Sequence, residues 1–264
     1  MRSNSSCWFA DPTMFLTPRW IASHVFVAVL VASFIIAGFW QVDRLGQRRD
    51  TNELVEARMT DAPTSLEALA GLPTDELEFR PIVVEGSYAP AEIFVANRTE
   101  VGSPGSWAWT GFRSTSGIDL IVNRGFVGRP ILLESEGAVP LAEIAPPSGT
   151  VVLAGILRSG IDGGRVAGSG TEISRPDAAL AARTIGVDPT LGDDVYLELS
   201  SQTPNQGSGF PRPVPAPDLG EGSHRSYAFQ WFTFAALGVL GYGLALRRIH
   251  RGDETRGDVP PHLD

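Results

Sequence analysis

The chain has 264 residues, 43% of them hydrophobic, and carries 30 acidic against 21 basic side chains, for a formal net charge of -9. Every basic residue is Arg and none is Lys, and no basic patch stands out, which sets nucleic acid aside as a partner. The single cysteine, Cys7, leaves no disulfide framework and no Cys-based zinc or copper motif.

A mean hydropathy near zero is here an average over two unlike parts. Residues 1–19 read as a cytoplasmic tail, since they are short and contain Asp11, unlike a transit peptide. Trp20 to Val42 is a run of 23 uncharged residues, too long for a signal-peptide core and without a small-x-small cleavage site. It is predicted to stay in the membrane as a first transmembrane helix, 20–42, with Trp20 and Trp40 at its interfaces.

Residues 43–225 are predicted to form one extracytoplasmic domain. It holds 15 Arg against 25 Asp plus Glu. Segments 79–88, 92–98, 106–112, 118–127, 150–158 and 193–199 are rich in β-branched and aromatic residues and punctuated by Gly, Pro and Asp, so they read as strands. Their close spacing argues for antiparallel pairing. Helix is expected in the continuation of the first span through about Arg58, in 65–72, and in 175–186, where Pro176 suits a first helical turn. The stretches 161–172 and 205–222 read as loops, the second stiffened by prolines.

The last apolar run decides the topology. Residues 226–246 lie uncharged between Arg225 and Arg247, and at helical rise they span roughly 31 Å, the thickness of a bilayer core. Arg247, Arg248 and Arg251 follow at once, which places the 247–264 tail in the cytoplasm, and a long exported domain places residues 1–19 there too. The predicted fold is thus an α+β membrane protein: two transmembrane helices, N- and C-terminal, flanking a mainly antiparallel β domain that is a small barrel or sandwich.

Two antiparallel spans bring the end of the first helix to the start of the second, so Trp40, Gln41 and Arg44 are expected near His224, Tyr227, Gln230 and Trp231 at the outer membrane surface. Wheel arithmetic at about 100° per residue puts His224, Tyr227, Ala228, Trp231, Ala235, Gly238 and Tyr242 on one stripe. One reading is helix packing through small residues with interfacial aromatic anchors. The other is a flat hydrophobic cofactor with His224 as axial ligand. Arg44 likewise has two readings, snorkelling to lipid phosphates or pairing with the carboxylates of such a cofactor. His24 lies inside the first span and reads as a packing or interfacial residue, while His250 and His262 belong to the polar tail. No nucleophile elbow, P-loop, G-x-G-x-x-G or H-E-x-x-H is present, so no enzyme is expected. Asn123, Arg124 and Gly125 read as a polar turn closing a strand, and Asn97 and Arg98 have the same reading.

The order of helix, long exported domain and helix, carrying GFWQVDR (38–44), IDLIVNRGFV (118–127) and SHRSYAFQWF (223–232), resembles the SURF1 family of cytochrome c oxidase assembly factors. The resemblance covers nearly the whole chain. It rests on Trp40, Gln41 and Arg44 at the end of the first span, Val122 to Gly125 in the domain, and His224, Tyr227, Ala228, Trp231 and Phe232 at the start of the second span. Phe126 stands where the family commonly has Trp, Gly111 where it often has Pro, and Gly222-Ser223 where Asn usually precedes the His. With an N-terminal tail unlike a transit peptide, the chain reads as a bacterial plasma-membrane protein. The resemblance implies a protein that binds haem a, with His224 as the iron ligand and Tyr227, Trp231, Arg44, Trp40 and Gln41 around it. It also implies the oxidase catalytic subunit as partner and a haem a synthesis enzyme as a further one. Two other functions fit the same layout: an oxidase-subunit chaperone that never ligates haem, and a two-pass sensor with an external ligand-binding domain.

Overall fold

The structure, a computed structural model, describes residues 15–134, 144–167, 170–206 and 209–257. Cys7, Asp11 and His262, with most of the first tail and the end of the second, lie outside the described residues. The chain divides into two units, a helical one made from residues up to Asn52 and from Leu219 onward, and a β domain from Glu53 to Asp218.

In chain order the elements are α1 (Pro18–Met59), α2 (Leu66–Leu69), α3 (Thr74–Leu77), β1 (Pro81–Glu100), β2 (Ser103–Ser114), β3 (Asp119–Gly128) and α4 (Arg129–Glu134). They are followed by β4 (Val151–Ser159), β5 (Val166–Ala167), β6 (Glu172–Ile173), α5 (Ala178–Ile185), β7 (Val195–Thr203) and α6 (His224–Gly257). Both α1 and α6 are long and apolar enough to cross a membrane. The continuation of the first span ends at Met59, one residue beyond the expected limit. There Arg58 ties off the helix end by donating to the carbonyls of Asp75 and Glu78 at 2.6 and 3.0 Å.

The strands β1, β2, β3, β7 and β4 pair in that order, and β4 returns to β1, so the sheet closes into a five-stranded barrel. Closure leaves no long unpaired edge. The predicted strands 79–88 and 92–98 are one strand. Its ladder to β2 shifts register between Tyr88 and Glu92, where Pro90 supplies no N–H. Most pairings are antiparallel as expected, but β3 with β7 and β1 with β6 are parallel. The short β5 and β6 hairpin lies largely in the stretch 161–172 that reads as loop and ends one residue beyond it, at Ile173.

Alternation of buried and exposed positions along the first half of β1 points Ile82 and Val84 inward. They meet Phe112, Leu120, Leu153 and Leu197 in the barrel interior, and Leu66, Leu69 and Leu77 of α2 and α3 join the same cluster. A second core lies under α5, where Ala178, Ala181 and Ala182 rest on Ile93, Trp109, Ile121 and Tyr196. Pro176 is not in the first turn of that helix. Asp177 is its N-cap, accepting from the Leu180 N–H at 2.8 Å, and Gly186 ends it at φ +74°.

Asn123, Arg124 and Gly125 do not form a turn; they lie inside β3, with Asn123 and Arg124 buried. Opposite them, Ala108 pairs with Gly125 and Trp109 with Asn123, so Arg124 is the extra residue of a β-bulge. Gly125 holds φ +123°, and an added Cβ would fall 1.9 Å from the Arg212 carbonyl oxygen. That contact is needed because residue 212 pairs with Phe126 across the bulge, laying the segment before α6 onto the barrel wall.

The bulge turns Arg124 inward. Its guanidinium donates to Glu92 Oε1 at 2.6 Å through Nη1, and through Nη2 to the Ile144 carbonyl at 2.6 Å and Gln206 Oε1 at 2.9 Å. Burial pushes the Glu92 carboxyl above the usual range, against the pull of Arg124 and the Thr110 hydroxyl. Asn97 and Arg98 sit at a second bulge, with Asn97 at φ +59° and the Arg98 guanidinium 4.3 Å from the centre of the Trp107 ring.

Candidate functional site

Within the helical unit, α1 and α6 run antiparallel along a seam that repeats every three or four residues. On α1 the covered positions include His24, Val27, Val31, Phe34, Gly38, Gln41 and Leu45, and on α6 His224, Ala228, Trp231, Ala235, Gly238 and Tyr242. A spacing averaging about 3.5 is the pattern that keeps two helices in contact over many turns. Small residues set the separation: a Cβ on Gly38 would lie 2.7 Å from the Phe232 ring, and one on Gly238 would lie 3.2 Å from Val31. Gly241, on the same helix, meets nothing within 4 Å and does not share in this.

The expected meeting of the two helix ends centres on one contact. The Gln41 amide oxygen lies 2.8 Å from His224 Nδ1, and Gln41 is only 9% exposed. The other imidazole nitrogen, Nε2, makes no hydrogen bond among the described residues. Beside it stands Gly222 at φ +67°, where a Cβ would approach Nε2 to 3.8 Å. Only glycine and a few polar residues adopt that conformation readily, and Gly222 itself puts no side chain against the ring.

The other expected site residues divide into two groups. Trp231 is committed to packing: its ring stacks on Phe34 with centroids 5.8 Å apart and an interplanar angle of 27°, and Phe234 lies edge-on to it. Trp40 and Tyr227 are about half exposed, at 52% and 46%. Arg44 is exposed as well. It sits 5.6 Å from the Trp40 ring and donates to Gln47 Oε1 at 2.8 Å, while Gln47 donates to Asp43.

At about 100° per residue, Arg44 and Trp40 lie about 60° and 100° to one side of Gln41, and Tyr227 lies about 60° in the same sense from His224. In an antiparallel pair, equal rotations of the same sense fall on the same flank. One flank therefore presents two aromatic faces and a guanidinium beside His224. The opposite flank is filled by Phe232 against Gly38 and Phe39, the two rings edge-to-face at 5.4 Å.

Above this level the chain entering α6 is clamped to α1. Arg48 donates to the Gly220 carbonyl at 3.1 Å, and Arg49 pairs with Glu221 at 2.6 Å. At the other end of the seam the Tyr242 hydroxyl meets Ser23 at 3.0 Å and His24 Nδ1 at 2.8 Å, and His24 Nε2 lies 3.2 Å from the Phe15 carbonyl. His24 is thus a packing residue with both nitrogens engaged.

The sequence reading missed Phe34, and it named Phe232 only as part of the motif opening the second span; their aromatic spacing along the seam was the available signal. It also missed the carboxylate of Glu92 as the partner of Arg124. Among the described residues no group of three or more His, Cys, Asp or Glu comes together to hold a metal ion. The family model for the SURF1 family matches residues 28–236, which include all six candidate positions. No curated protein matches the chain.

Proposed function

From the fact that this chain belongs to the SURF1 family over residues 28–236, we propose that it carries haem a for the catalytic subunit of cytochrome c oxidase. The family consists of non-catalytic assembly factors associated with the cytochrome oxidase assembly machinery, and this chain is such a factor anchored by two membrane-spanning helices. In the proposed topology both termini face the cytoplasm of a bacterial cell, because Arg247, Arg248 and Arg251 close the second span. The β domain then stands outside the plasma membrane, where it meets the oxidase subunit, with a haem a synthesis enzyme as the donor.

The observation that carries the reading is the His224 imidazole. One nitrogen is held by Gln41, the other has no partner among the described residues, and both stand at the end of an apolar helix pair. These residues fit the cargo: an imidazole for the iron, the Trp40 and Tyr227 rings for a flat macrocycle, and Arg44 for its carboxylates. Trp231 contributes by bracing α6 against Phe34 rather than by facing the cargo.

The test is a visible absorption spectrum of the detergent-purified chain co-expressed with haem a synthesis enzymes. The wild type is expected to show haem bands that the His224→Ala variant lacks, with helix content unchanged. Equal haem in both would end the ligand assignment. Absence of haem from both, with oxidase activity still lost in a deletion strain, would leave a subunit chaperone. Arg44→Ala is expected to weaken retention by about tenfold or less, the effect of one partly exposed ion pair, and wild-type retention would return Arg44 to a lipid-anchoring role.

A further inference from the structure

We propose that Gln41 is a positioning residue that holds His224 as the Nδ1–H tautomer, so that Nε2 alone offers a lone pair to an incoming metal centre. The inference rests on the haem reading for the identity of that centre, but not for the tautomer itself. A neutral imidazole carries one N–H, and the hydrogen bond at one nitrogen decides which nitrogen is left bare. The atom facing Nδ1 is a carbonyl oxygen, which only accepts, so the proton belongs on Nδ1.

Three features make this contact an orienting device. Gln41 is buried in the seam, with Gly38 one turn before it and Leu45 one turn after, so its amide stands at a fixed level against α6. Among the described residues each of the two groups is the other's only side-chain hydrogen-bond partner, so nothing in the seam competes for the contact. Gly222 puts no side chain of its own against Nε2, where a Cβ would lie 3.8 Å away. Metal-bound histidines ordinarily donate their second nitrogen to an acceptor in this way, which fixes ring orientation and raises ligand basicity. Here the acceptor comes from the other transmembrane helix, so forming the seam also prepares the ligand.

The experiment is nitrogen NMR of the full chain in detergent, labelled with ¹⁵N-histidine, kept free of haem and at a pH where His224 is neutral. His224 is assigned as the signal lost in His224→Ala. The wild type is expected to show a protonated Nδ1 and a bare Nε2. Gln41→Leu should move the proton to Nε2 or mix the two forms, whereas Gln41→Glu, which keeps an acceptor oxygen, should hold Nδ1–H. With haem a added, Gln41→Leu should bind about 10- to 100-fold more weakly than wild type, and Gln41→Glu should recover most of that loss. A wild-type proton on Nε2, or a tautomer indifferent to Gln41→Leu in a variant of unchanged helix content, would overturn the proposal. If the tautomer is as stated and the wild type binds no haem, the iron half falls with the haem reading while the positioning of the imidazole stands.

Discussion

Gly125→Ala is expected to be the most damaging single-methyl change in the β domain. The new Cβ would lie 1.9 Å from the Arg212 carbonyl oxygen and 2.4 Å from its carbon, both backbone atoms. No rotamer relieves such a contact, because a Cβ has none. The backbone would also have to hold φ +123° with a side chain attached. Relief requires the 212 strand segment to leave the barrel wall, which breaks its paired hydrogen bonds with Phe126 at 2.7 and 2.9 Å. Overpacking and backbone strain together suggest a loss of about 3 kcal/mol or more, a fall in Tm of roughly 6–12 °C for a domain of this size. Thermal unfolding followed by circular dichroism checks this, and a shift below about 2 °C would mean that the segment can lift away at little cost. Gly71→Ala makes a suitable control, since it also has positive φ but meets nothing within 4 Å.

Breaking the ion pair of Glu92 and Arg124 is expected to cost about 3–5 kcal/mol, whichever partner is removed. The pair is 2.6 Å apart with side-chain exposures of 4% and 1%, so the surviving charge has no access to water. Replacing both residues by apolar ones of similar volume should cost much less, since it removes two charges from the interior together. A double-mutant cycle by chemical denaturation separates these outcomes. The pair also sets a pH dependence. Burial raises the Glu92 carboxyl in the folded domain, so the folded state holds that proton more tightly than the unfolded chain does. Its contribution to stability is therefore present below the unfolded carboxylate value, near 4.3, and is lost as pH rises through the raised folded value. Arg124→Met removes the guanidinium that pulls this value down. The loss should then extend to higher pH, and a stability profile between pH 4 and 8 identical in shape to the wild type would contradict this account.

The helices and most strands were legible in the sequence because burial repeats where the chemistry demands it. Twenty-three uncharged residues beginning at Trp20 leave little choice in a bilayer, and the β-branched runs around Val83, Ile121 and Leu153 pair in a closed barrel. What stayed hidden depends on contacts between distant residues. Nothing local says that Arg124 is swallowed by the barrel, because Asn-Arg-Gly is also ordinary turn chemistry. Its place inside β3 depends on Glu92, which lies 32 positions earlier in the chain, and on Gln206, 82 positions later. The same holds for the site. Helix-wheel reasoning puts Tyr227 and Trp231 on one stripe with His224, yet stacking on Phe34 partly covers Trp231 while Tyr227 stays 46% exposed. The pairing of Gln41 with His224 follows from antiparallel spans of matched length, and that much could be counted on the sequence.

Polar contacts of the helix pair stand near opposite ends of the seam, Gln41 with His224 at one and Tyr242 with Ser23 and His24 at the other. Between them lie 17 steps on α1 and 18 on α6, roughly 26 Å of apolar wall. A slide of either helix by one turn would break the contacts at both ends at once, and a rotation would do the same. The pair is therefore latched at both ends and is unsuited to piston or twisting movements. A haem bound beside His224, as proposed, would enter and leave by the flank that carries Trp40, Arg44 and Tyr227, with no sliding of the two helices required.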